Sequence, residues 1–151
     1  VHTPEIINQS AESFGSQCIV GAVDVLRRPE VEGEVPAWEI YINGGRKATG
    51  IDALEWVEEL VDRGAGELVL NSIDADGTRE GYDLTLNQEV ARRVRVPIVA
   101  SGGAGNLDHI YEVLTEGEAS AALAASIFHF QQYSIPEVKD FLRERGVVVR
   151  Q

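Results

Sequence analysis

Two short turns in this sequence consist almost entirely of residues without a bulky side chain. Ser101-Gly102-Gly103-Ala104-Gly105 follows the apolar run Val96-Pro-Ile-Val-Ala100 and precedes a helical pattern. Glycine there lets the backbone approach a ligand closely, and free N–H groups at a helix start attract an anion. A tight strand-to-helix turn asks for the same small residues, so this turn alone reads equally well as architecture. The second turn, Ala124-Ala125-Ser126, closes the next apolar run, which begins at Ala121. Two adjacent turns of this kind point to a phosphate cradle.

Acidic residues accompany them. Asn71-Ser-Ile-Asp74-Ala-Asp76-Gly77-Thr78 follows the apolar Leu68-Val-Leu70. Its carboxylates suit ribose hydroxyls, the positioning of a base, or calcium. The calcium reading fails where Ser72 stands at the first ligand position and Asp83 replaces the closing glutamate of such a loop. Asp24 ends the run Ile19-Val-Gly-Ala-Val23, where an aspartate is either a salt-bridged or capping residue or a general acid/base. Glu67 places a charge at the amino end of an apolar strand, for which a cap or surface ion pair is the plain account. His2, His109 and His129 lack metal-ligand spacing. Packing or surface roles suit His109 and His129, and Cys18, early in a strand, reads as a core residue.

Short apolar runs alternate with amphipathic stretches along the whole chain. Thr3-Pro4 reads as a cap with proline in the first helical position, and Ile7, Ala11 and Phe14 form one face that Gly15 ends. A strand is expected over 18–24 and an alternating extended segment over 37–43, a hairpin arm on a long loop. Asp52 caps a helix carrying Leu54, Val57, Leu60 and Val61, stopped by Gly64. Leu68–Leu70 is a strand, Leu86, Val90 and Val94 mark a helix, and 96–100 is a strand. Leu107, Ile110 and Leu114 mark a helix closed by Gly117, and 121–125 is a last strand. Ser134-Ile-Pro-Glu137 is a capping box for a helix along Val138, Phe141 and Leu142. One helix followed by four strand–helix units, the strands buried on both faces, predicts an α/β fold with a parallel sheet. Four units form either a small doubly wound sheet or half of an eight-stranded barrel, which takes about 250 residues. In such barrels the loops after the last two strands often hold a phosphate together, as the two small-residue turns would here.

The 151 residues, 44% hydrophobic and 25% charged, suffice for one domain, 1–151, with a core. Thirteen basic against 25 acidic residues give a net charge of −12, which argues against a nucleic-acid surface. A single cysteine excludes an internal disulfide framework and a zinc ribbon. No apolar run approaches the ~18 residues of a membrane span, and residues 1–8 do not read as a signal peptide. A soluble, cytoplasmic protein is expected.

Taken together, Val23-Asp24, Thr49-Gly-Ile51, Gly64-Ala-Gly-Glu67, the run Asn71 to Asp83, Ala100-Ser-Gly-Gly-Ala-Gly105 and Ala124-Ala-Ser-Ile-Phe-His-Phe130 resemble one family. It is the cyclase subunit of imidazole glycerol phosphate synthase, from histidine biosynthesis, in its carboxyl-terminal part. The resemblance runs over essentially the whole chain. It implies half of a (βα)8 barrel, a leading helix plus four βα units, acting without a cofactor or metal. It implies a substrate with two terminal phosphates, a phosphoribulosyl-formimino aminoimidazole carboxamide ribonucleotide. Ammonia, delivered through the barrel from a glutaminase docked at its amino face, converts this to imidazole glycerol phosphate and an aminoimidazole carboxamide ribotide.

By the same resemblance Asp24 is a catalytic acid/base, the second of the family's two catalytic aspartates. Asn71, where the family often has threonine, lies near substrate. Asp76, Gly77, Ser101, Gly102, Gly103, Ala125 and Ser126 form a phosphate site, and Glu67 belongs to the charged gate for ammonia. The chain starts where the family's fourth helix starts. The expectation is therefore a homodimer that rebuilds a pseudo-symmetric barrel, a complementing amino-terminal half, or a truncated fragment. The sister isomerase of the pathway ranks second, since its second half does not carry Gly-Tyr-Asp83 or the Phe-His-Phe ending. A phosphate-binding scaffold without turnover is the third reading.

Overall fold

The computed structural model describes residues 1–29, 32 and 35–150. In chain order the elements are α1 (Glu5–Phe14), a 3-10 turn at Ser16–Cys18, β1 (Val20–Arg27), β2 (Trp38–Ile42), β3 (Lys47–Asp52) and α2 (Ala53–Asp62). There follow β4 (Glu67–Ser72), α3 (Leu84–Arg93), β5 (Ile98–Ser101), α4 (Leu107–Thr115), β6 (Ala121–Leu123), the short α5 (Ser126–His129) and α6 (Ile135–Glu144). One six-stranded sheet runs β3-β2-β1-β4-β5-β6 and is not closed.

The four strands expected as a parallel set, β1-β4-β5-β6, pair as such. The hairpin β2-β3 adds antiparallel pairing at one side, so the sheet as a whole is mixed. The extended segment at 37–43 is indeed a hairpin arm, and its partner is β3. Asn43, Gly44 and Gly45 all have positive φ, the conformation a tight turn between two strands requires. The hairpin lies antiparallel on the carboxyl half of β1, from Asp24↔Tyr41 to Arg27↔Trp38.

Burial along the strands has a period of two, which corrects the expectation of strands buried on both faces. Val23 and Val25 of β1, Leu68, Leu70 and Ser72 of β4, and Ile98 and Ala100 of β5 are buried. They meet α2 and α3 in one cluster with Trp38, Trp56, Leu60, Leu86 and Val90. A second cluster joins Ala100 to α4 and α6 through Ile110, Val113, Val138 and Leu142. The opposite face, carrying Val20, Ala22, Asp24, Glu67, Val69, Asn71, Val99 and Ser101, has no fully buried residue.

Helix boundaries follow their chemistry. The Asp52 carboxylate accepts the N–H groups of Leu54 and Glu55, and both halves of the Ser134/Glu137 capping box form. The start of α1 differs: Pro4 itself takes the cap position and no side chain caps the helix, so Thr3 does not act there. Ile7 packs against the core, whereas Phe14 is 69% exposed. Cys18 is exposed, not a core residue. The 3-10 turn, closed by Cys18 N–H to Gly15 O and Ile19 N–H to Ser16 O, precedes the strand and turns this thiol outward.

The connection 73–83 is stitched to four elements. Ile73 N–H donates to Val25 O, the Arg27 N–H to Asp74 Oδ2 at 2.7 Å, and Gly81 N–H to Gly103 O. Asp83 accepts from Trp38 Nε1 with one oxygen and from Leu86 N–H with the other, both at 2.9 Å. Tyr82 is 6% exposed and its hydroxyl donates to Leu123 O at 2.9 Å. Gly103, at φ +103°, lies so close to this connection that a Cβ would sit 1.9 Å from Gly81 O.

Two predictions follow from these contacts. Gly103→Ala combines left-handed strain with overlap on fixed backbone, about 2–5 kcal/mol together, whereas Gly44→Ala, with open space around it, meets about 1–2 kcal/mol of strain. Thermal melts should show Gly103→Ala the more damaging. Burial raises the Tyr82 phenol well above its usual range, while the unfolded phenol ionises near 10. The folded state therefore holds its full Tyr82 contribution below pH ~10 and loses stability as pH rises beyond it. Ultraviolet titration should show Tyr82 ionising only with alkaline unfolding, a step absent in Tyr82→Phe.

Candidate active site

Three parallel strands carry polar residues at matched register: Asp24 on β1, which runs on to Arg27 instead of ending there as the sequence suggests, pairs with Asn71 on β4, and Asn71 with Ser101 on β5. Paired positions of a parallel ladder project to the same face, here the face that the helices leave uncovered. The side chains bond in a row. Asn71 Nδ2 donates to Asp24 Oδ1 at 2.9 Å, and Ser101 Oγ donates to Asn71 Oδ1 at 3.1 Å. A carboxylate accepts only and a hydroxyl can donate, so the two neighbours fix which way the Asn71 amide points. The row leaves the second Asp24 oxygen to other partners. It also ties the acid to the strand that carries the Gly-Gly turn.

Beyond Ser101 the rim opens into a small recess of about 110 Å³. Its wall is made by Asp76, Gly77, Ser101, Gly102 and Gly103 on one side and Ala124, Ala125 and Ser126 on the other. Both small-residue turns therefore meet at one cavity, as the sequence suggests. Every phosphate-site residue expected from the sequence lines it. Asp76 donates its backbone N–H to Ser72 O, so what it offers the recess is a carboxylate, an acceptor suited to a hydroxyl beside an anion.

Glu67 stands on the same face as Asn71 but at the amino end of β4, four residues away, or about 13 Å along the strand. Asp74 and Asp83 have oxygens bonded to backbone and indole N–H groups. His109 Nδ1 accepts the Gly105 N–H at 3.1 Å, a local turn contact. His129 is exposed, edge-on to the Phe130 ring at 5.1 Å. Arg79 also lines the recess, and nothing in residue spacing singled it out. Tyr82 and Asp83 had a motif but no role; their signal was an aromatic and a cap residue adjacent at the end of a long connection.

Among the described residues no helix is long and apolar enough to cross a membrane. A family model described as "Histidine biosynthesis protein" matches residues 1–134. The chain is 54% identical over 150 residues to the imidazole glycerol phosphate synthase subunit HisF of Microcystis aeruginosa, covering 99% of this chain and 58% of that protein. It is 52% identical over 150 residues to the same subunit of Trichormus variabilis, with the same coverage. For Thermosynechococcus vestitus the figures are 49% over 151 residues, 100% of this chain and 54% of the relative. The chain thus spans little more than half the length of these curated relatives. A match over most of the chain, on a sheet whose rim gathers the motif residues at one cavity, leads to one conclusion: the chain belongs to the histidine biosynthesis protein family.

Proposed function

We propose that this chain supplies the carboxyl-terminal half of the imidazole glycerol phosphate synthase cyclase. In that reading ammonia and the phosphoribulosyl-formimino aminoimidazole carboxamide ribonucleotide give imidazole glycerol phosphate and an aminoimidazole carboxamide ribotide. The observation that carries it is the bonded row Asp24–Asn71–Ser101 running into the small-residue recess. It brings a carboxylate for proton transfer and a cradle for a phosphate to one rim.

Each residue then has a task. The recess holds one terminal phosphate of the substrate by Gly77, Gly102, Gly103, Ala125 and Ser126, with the Ser101 hydroxyl at its inner wall. Asp76 accepts from a substrate hydroxyl. Asn71 orients Asp24, which takes and returns protons during ring closure and cleavage. Glu67, at the far end of the same face, meets ammonia arriving from a glutaminase subunit in the cytoplasm. Residues 20–23 of β1 pair with β4 on one side, but on the side where β2 lies they pair with no strand among the described residues, and β6 ends the sheet at the far side. These edges support completion by a second copy or by an amino-terminal half.

Ammonia-dependent consumption of the cyclase substrate tests the reading. Asp24→Asn should lower turnover by at least about 10²-fold, the usual scale for a lost acid/base group, while inorganic phosphate binds as before. Unchanged turnover in the variant removes Asp24 from the mechanism. A folded protein that binds phosphate and turns nothing over, even when mixed with an amino-terminal half, overturns the cyclase reading in favour of a phosphate-binding scaffold. Equilibrium sedimentation of the chain alone is expected to give a dimer; a well-folded monomer would rule out completion by a second copy.

A further inference from the structure

We infer that Arg79 is the cation that holds the phosphate in the recess and that Phe130 is the platform that positions its guanidinium; this rests on the phosphate reading proposed above. The recess wall includes one carboxylate, Asp76, and one positively charged side chain, Arg79. A phosphate dianion entering there meets that carboxylate on a protein of net charge −12. Backbone N–H groups and a serine hydroxyl supply directed bonds but no full charge. A guanidinium supplies both, since its planar fork matches two phosphate oxygens at once.

Arg79 is held ready for this. Its guanidinium carbon lies 5.6 Å from the centre of the Phe130 ring, a cation–π distance. Among the described residues it makes no ion pair, so its charge is not spent on Asp76 or another carboxylate. Its backbone has φ +62°, a conformation that non-glycine residues seldom adopt. Such residues persist where their surroundings impose them, often at ligand clamps. Here the imposition comes from both sides. Thr78 N–H and Oγ1 bond to Ala75 O, Glu80 N–H bonds to Thr78 Oγ1, and Gly81 N–H bonds to Gly103 O.

Phe130 is the other half of the device. It is 65% exposed, so the core does not account for an aromatic at this position. A ring just past α5 that lies against the guanidinium of Arg79, itself in the recess wall, does account for it. Stacking removes rotamer freedom from a long side chain before the anion arrives, lowering the ordering cost of binding. The Phe-His-Phe ending thus divides in two: Phe128 packs into the second core cluster, and Phe130 serves the site.

Titration of the full chain with inorganic phosphate, followed by phosphorus NMR at low ionic strength, tests both parts. Arg79→Gln should weaken binding about tenfold or more and flatten its dependence on salt, because one screened charge pair is gone. Arg79→Lys should fall between, keeping charge without the fork. Phe130→Leu should weaken binding several-fold and Phe130→Tyr should restore it, which a merely structural role would not predict. If the unsubstituted chain binds and Arg79→Gln binds equally well, the inference is overturned while the phosphate site stands. If Phe130→Leu binds like the unsubstituted chain, the platform role falls. A chain that binds no phosphate at all overturns the site proposal and this inference together.

Discussion

In-register parallel pairing puts Asp24, Asn71 and Ser101 side by side, and the chemistry of the rim depends on that alignment. Neighbouring strands lie about 4.8 Å apart, so three short polar side chains at one level can bond in a row across them. A shift of one residue in any strand would turn its member of the row toward the helices. The period-two burial prevents the shift. Leu68 and Leu70, Ile98 and Ala100, Val23 and Val25 have to face α2, α3 and α4. The core thereby fixes the site: the apolar positions choose the register and the polar ones inherit it.

The second constraint is the connection 73–83, which closes the rim without covering it. Its residues divide by function along the chain. Ile73, Asp74, Tyr82 and Asp83 are spent on bonds to β1, β2, α3 and β6. The middle of the loop, Asp76, Gly77 and Arg79, lines the recess. The two readings of the Gly-Gly turn are therefore not rivals. Gly103 lacks a side chain because the Gly81 carbonyl lies where one would be, and that same close approach brings the loop over the recess. The tight turn and the recess are two results of one contact.

Most of this was legible where chemistry is local. The Asp52 cap, the Ser134/Glu137 box and the Gly15 and Gly64 stops are local pairs, and each stands where residue types put it. Both small-residue turns were readable, and so was their partnership, because parallel strands in sequence tend to be neighbours in space. β3 was not legible: Lys47-Ala-Thr-Gly carries little apolar alternation, and only the Asn43-Gly44-Gly45 turn betrays it. Cys18 misled because apolar residues after it make a continuous run, whereas the 3-10 turn delays the strand to Val20. Arg79 was invisible for a different reason. Its importance comes from a ring 51 residues away in the chain, and no local spacing encodes that contact.

The proposed completion of the barrel would act on the uncovered face. Parallel strands are ordinarily covered on both sides, yet Val20 and Leu123 on this face are 49% and 46% exposed. They sit on the two strands that end the parallel set, β1 and β6. The hairpin occupies β1 from Asp24 onward, so only Val20–Val23 can accept another strand on that side. β6 is three residues long, a length that fits this segment. A two-fold axis parallel to the strands preserves their direction, and it would bring β6 of one copy to β1 of the other at both seams. Four strands and four strands then make eight, all parallel, with the exposed valine and leucine turned inward. Such a closure would also set a second Asp24 on the same rim. An amino-terminal half of matching strands would satisfy the same edges, and either way the polar row would pass from an open surface to the mouth of an enclosed barrel.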